Sequence, residues 1–160
     1  MKRLACVLAS GAMIIMSGPS CSRSKADRFE TAQSDVATLR KFVTLQPTPV
    51  EAKWSVMTIG TDAVPGPSDT SLWAVLHYSD ADYATVLRAL KEKTILQSTA
   101  AGSPPAWLLA DVDLARFRHG SDYVFDGAVP AAPPFASDLY RNGFALTLPD
   151  KRILIHFSSQ

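Results

Sequence analysis

Apolar and polar positions change rhythm several times along this chain of 160 residues, and each rhythm predicts a different element. Residues 4–16 carry no charge and are rich in Leu, Val, Ile, Met and Ala. Phe29, Ala32, Val36, Leu39 and Val43 then recur at helical spacings, a stripe that predicts a helix ending before Pro47 and Pro49. The stripe lasts about two heptads, which favours a helix packed on the domain over a partner-binding coiled coil. Residues 54–59 are β-formers stopped by Gly60, and residues 61–68, with Pro65-Gly66-Pro67, read as a loop. Residues 72–78 follow as a mostly apolar strand, buried on at least one face.

The clearest helix comes directly afterwards. Ser79 can cap it with Asp82 three residues on, and Tyr83, Val86, Leu87 and Leu90 form its apolar face. Asp80 and Asp82 suit the positive end of the helix dipole, Lys91 and Lys93 the negative end. Residues 97–105 are small and polar with a Pro104-Pro105 pair, so they read as a loop. Residues 107–117 fit a short helix or a twisted strand equally well, residues 123–125 suit a short strand, and residues 128–134, with three prolines, a rigid loop. At the C-terminus, Phe144, Leu146 and Leu148 alternate with smaller or polar residues, and after Pro149-Asp150-Lys151 so do Ile153, Ile155 and Phe157. Two period-two runs across a short turn predict a β-hairpin. The fold class expected is α+β, a small antiparallel sheet with one or two packed helices and a C-terminal β-hairpin. The expected organisation is a cleavable segment 1–20, a flexible tether 21–28 and a single α+β domain over 29–160.

The first apolar run has a different purpose. Lys2 and Arg3 precede it, and Ser17, Gly18 and Pro19 stop it short of the roughly 20 apolar residues that a membrane-spanning helix needs. That layout is a signal peptide. Gly18 and Ser20 before Cys21 would suit an ordinary signal peptidase as well as a lipoprotein-processing enzyme. Cys6 would leave with the leader, so the mature chain keeps one cysteine and can form no internal disulfide; an unpaired thiol at the cleavage point needs a purpose in an oxidising compartment. Residues 1–21 resemble a bacterial lipoprotein leader, although Gly18 stands where a leucine is typical and Pro19 where a small or apolar residue is expected. The resemblance implies acylation of Cys21, with Ser22 in the next position implying passage to the outer membrane. The expected location is the periplasm, anchored to the outer membrane through Cys21, with a soluble periplasmic or secreted protein as the alternative.

Charge narrows the partners. The leader takes two of the 16 basic residues and none of the 15 acidic ones, leaving the mature chain one charge negative. Neither a basic field nor a Lys/Arg cluster is present to hold nucleic acid or anionic headgroups. The apolar fraction of 47% is ample for a core.

Candidate chemistry is sparse. His77, His119 and His156 stand in no metal or catalytic spacing and read as solvent-facing or locally hydrogen-bonded side chains, with His156 pointing away from the face of Ile153, Ile155 and Phe157. No metal or other cofactor is expected, because a zinc site needs three or four ligands. Ser22-Arg23-Ser24-Lys25 matches S-x-x-K only formally, since it falls in the tether. Asp111 and Asp113 would share one face of a strand, most simply a solvated one. Among the aromatic residues, Trp54, Trp73 and Trp107, at least two tryptophans belong in the core. The residues put forward as a binding surface are Trp73, Tyr78, Trp107 and His119.

The function expected is that of an exported, membrane-anchored, non-catalytic binding protein of the cell envelope. Its partner would be an envelope protein, with neutralisation of a secreted toxin as one version that no residue selects. The competing reading is a small periplasmic hydrolase with one histidine as base, the neighbourhood of His119, Ser121 and Asp122 being the most suggestive. A histidine within reach of a nucleophile in a pocket would favour the enzyme.

Overall fold

Long β-forming runs near the middle and the end of the chain pair with one another to make the centre of the fold. A computed structural model of the protein describes residues 31–59, 69–92, 100–131 and 134–159. The residues expected to form a leader (1–20), a tether (21–28) and a proline loop (61–68) lie outside the described residues. The first elements are α1 (Val36–Leu39), β1 (Glu51–Ile59), β2 (Asp69–His77) and α2 (Asp80–Lys91). They are followed by β3 (Ala100–Ala101), α3 (Ala106–Asp111), a 3-10 turn (Ala115–Phe117), β4 (Arg118–His119), β5 (Asp122–Val124), β6 (Val129–Pro130), β7 (Asn142–Leu148) and β8 (Arg152–Ser158).

A five-stranded antiparallel sheet runs β1-β2-β8-β7-β6, and a small three-stranded one runs β3-β5-β4. This is the α+β class, and β7 and β8 form the C-terminal hairpin. Strand β8 is the central one, flanked by β2 and β7.

Both faces of that sheet are covered, and this decides what its side chains do. On one face Trp54, Leu72, Ala74, Leu76, Ile153, Ile155 and Phe157 pack beneath Leu39, Val43, Val86 and Leu90. On the other, Trp73, Val75, Phe144, Leu146 and Leu154 pack beneath Leu108, Val112, Phe117 and Phe125. Full burial of a side chain of this size contributes about 1.5–3 kcal/mol. Sheets buried on both faces read as continuous apolar runs, and β2 and β8 show it. The second cover also corrects the expectation for His156: it does point away from Ile153, Ile155 and Phe157, yet it is buried.

The helix expected over the stripe 29–43 shrinks, in its described part, to one turn. Gln33 forms an antiparallel bridge with Trp54, through Gln33 N–H to Trp54 O at 2.7 Å and Trp54 N–H to Gln33 O at 2.9 Å. That bridge holds the backbone extended, and Asp35 restarts it by capping α1 through Ala37 N–H. Leu39 and Val43 still reach the core, so the stripe marked the buried positions correctly without a long helix between them.

Other expectations hold in part: within stretches expected as loops, Ala100–Ala101 and Val129–Pro130 form the short strands β3 and β6. Ser79 caps α2, accepting from Asp82 N–H, with Asp80 and Asp82 in the first turn. Pro105 occupies the N-cap position of α3, which settles the ambiguous stretch as a helix followed by a 3-10 turn. Asp111 ends that helix, and Asp113 Oδ1 accepts from Ala115 N–H, so the two carboxylates do not share a strand face as expected. Residues Asp122–Val124 form the short strand β5.

Candidate functional site

Three strands end side by side beneath α3. Their pairing puts Glu51 opposite His77 and His77 opposite Arg152, a polar row across β1, β2 and β8. One pleat further in lie Lys53, Val75 and Leu154 in the same order. Residues two apart share a face, and Val75 and Leu154 belong to the core under α3, so the polar row opens at the rim of that core.

Asp111 closes the row from above. Its carboxylate lies 3.5 Å from Lys53 Nζ and 3.8 Å from Arg152 Nη1. Arg152 also donates from Nη1 to Asp111 O and from Nε to Pro149 O, both at 3.4 Å. His77 Nδ1 stands 4.0 Å from Glu51 Oε2. Lys53 Nζ sits 5.4 Å from the ring centroid of Trp107, whose indole N–H donates to Ser55 Oγ at 2.9 Å. The result is a cleft of about 300 Å³ with charged walls and an apolar floor at Val75.

Of the binding residues expected from sequence, Trp107 alone borders this cleft; it is half-buried. Trp73 and Tyr78 are each 1% exposed and belong to the two cores, so neither offers a surface to a partner. Tyr78 Oη is buried without a hydrogen-bond partner among the described residues, and burial, followed by the Asp82 charge, pushes its pKa up. His119 is exposed on β4 opposite Asp122. Ser121 Oγ donates to Asp122 Oδ1 at 3.4 Å, and the structure does not assemble the three residues into a triad.

A histidine does meet a nucleophile elsewhere. Ser71 Oγ and His156 Nε2 are 2.9 Å apart. Both are buried, and the imidazole is packed 4.2 Å from the Trp73 ring and 5.2 Å from the Phe144 ring. Burial holds its pKa down at about 4, so the ring is neutral and bound to one hydroxyl in an aromatic shell. This pair has the distance of a base and a nucleophile but lines neither the charged cleft nor two others among the described residues.

A separate groove of about 460 Å³ runs between α2, through Tyr83, Leu87 and Leu90, and the β6–β7 edge at Val129 and Thr147. Among the described residues, no group of three or more His, Cys, Asp or Glu side chains gathers in a way that could hold a metal ion. Nor is any described helix long and apolar enough to cross a membrane.

Sequence reading missed Lys53, Glu51 and Arg152, and met Asp111 only as half of an acidic pair. No spacing could have revealed them, because the row exists only through the register of three strands. Fold and cleft thus define an α+β domain whose main sheet is covered on both faces, with a charged cleft at one sheet end. Comparison with known proteins finds no matching family model, no similar curated protein and no similar solved structure.

Proposed function

We propose that this is an exported, non-catalytic binding protein of the bacterial cell envelope, held at the membrane through an acylated Cys21. The export reading rests on Lys2 and Arg3, the uncharged run behind them and the lone mature cysteine. Binding rests on one structural observation: charged side chains from β1, α3, β8 and the turn before β8 surround an open cleft, whereas His156, bonded to the Ser71 hydroxyl, is sealed among aromatic rings. Acyl transfer at Ser71 would need room for a carbonyl beside Oγ and a donor for its developing charge. Ser71 is 5% exposed, which leaves no such room. The partner in this reading is another envelope protein.

Radiolabelled palmitate fed to cells expressing the full chain tests the anchor. Labelled wild type and unlabelled Cys21→Ser are expected, with the variant released into the soluble periplasmic fraction. Unlabelled wild type would remove the anchor from this reading. Hydrolysis of envelope material by the purified domain, abolished in Ser71→Ala, would establish the hydrolase instead.

A further inference from the structure

We infer that the cleft between β1, β2, β8 and α3 is a carboxylate-binding site, taking the free C-terminus of a peptide or a free amino acid. The inference rests on the binding reading above and names what is bound.

The distances carry it. Charge-assisted N–H···O bonds close to about 2.7–2.9 Å when a pair is satisfied. Here the contacts of Lys53, Arg152 and Asp111 run from 3.4 to 3.8 Å, so the groups surround a space without clamping one another. Arg152 has five N–H donors and spends them on two carbonyls and one carboxylate at these long separations. Its side chain is 26% exposed and that of Lys53 42%, so both are open to a ligand while anchored along their stems. Asp111 shows what they are arranged around: a carboxylate already lies between the two cations.

The remaining walls select the class of anion. Glu51 and Asp150 line the same cleft together with Asp111, giving three carboxylates beside two permanent cations. A multiply charged phosphate meets that balance with stronger repulsion than a singly charged carboxylate, whose plane also matches the guanidinium fork. Val75 offers an apolar floor to the side chain next to that carboxylate. A volume of about 300 Å³ holds one or two residues of a peptide. Capture of a terminal carboxylate is an established mode of peptide recognition.

Isothermal titration of the mature chain tests this with N-acetyl-glycyl-valine, the same dipeptide as its C-terminal amide, free valine and inorganic phosphate. The free acid is expected to bind in the millimolar range and the amide at least about tenfold more weakly. Saturation by free valine at equal or better affinity assigns the site to amino acids; preference for the acetylated dipeptide assigns it to peptide C-termini. Arg152→Gln should weaken the acid about tenfold. Asp111→Asn should strengthen it, because the variant removes the internal competitor, and a merely structural ion pair would not behave this way. Equal binding of acid and amide, tighter binding of phosphate, no binding at all, or weaker binding by a folded Asp111→Asn would overturn the inference. None of these outcomes depends on Cys21.

Discussion

Ser71 and His156 meet diagonally across the neighbouring strands β2 and β8 with Oγ and Nε2 2.9 Å apart, and burial keeps the imidazole uncharged, with a pKa of about 4. In an unfolded chain a histidine titrates near 6.5. The folded value is the lower one, so as pH falls through 6.5 the unfolded state gains a proton that the folded state refuses. The contribution is therefore complete above about pH 6.5, is lost progressively below it, and is fully lost below about pH 4. Between pH 7 and pH 5 this single group should remove about 2 kcal/mol of stability. Urea denaturation at both pH values checks it against the double variant Ser71→Ala with His156→Leu, in which that component should vanish. An equal pH dependence in the two proteins would refute the assignment.

The same pair should behave non-additively at neutral pH. Ser71→Ala leaves a buried imidazole nitrogen without its partner, and His156→Leu leaves the hydroxyl alone; each should cost about 1–3 kcal/mol. Removing both removes both orphans, so the double variant should be more stable than the sum of the single losses allows. A strictly additive double-mutant cycle would show that the bond contributes nothing.

Two buried tyrosines should respond to hydroxyl removal with opposite signs. Tyr78 Oη has no partner among the described residues, whereas Tyr140 Oη shares a hydrogen bond of 2.9 Å with Thr70 Oγ1. Tyr78→Phe removes an uncompensated desolvation and should gain about 1 kcal/mol; Tyr140→Phe orphans Thr70 in part and should lose about as much. Melting curves recorded together decide the matter, since a shift of both proteins in the same direction contradicts the burial argument.

Gly143 sits where β7 crosses against β8. A Cβ placed there would stand 2.1 Å from His156 O and 2.6 Å from a ring carbon of Phe157. The carbonyl belongs to the central strand and cannot move aside cheaply. Gly143→Ala should therefore cost more than the usual 1–3 kcal/mol of overpacking, about 3 kcal/mol or above. Gly102→Ala, with nothing within 4 Å of its Cβ, serves as the matched control and should be close to neutral.

What sequence alone made legible is local. Ser79 with Asp82 starts α2, and the alternation of Phe144, Leu146 and Leu148 with Ile153, Ile155 and Phe157 makes the terminal hairpin. These signals act between residues a few positions apart, where capping bonds and side-chain periodicity are set by neighbours in the chain. The expectation of a leader ending at Cys21 rests on sequence alone, and the described fold does not test it. Tertiary structure decided everything that depended on which segments meet. It placed β8 at the centre of the sheet, covered the second face and so buried His156, and let the Gln33–Trp54 bridge confine α1 to one turn. It also brought Glu51, His77 and Arg152 into one row beneath Asp111. Strand order and register arise from burial summed over distant segments, and a periodicity tells a residue which face it occupies without telling it what will cover that face.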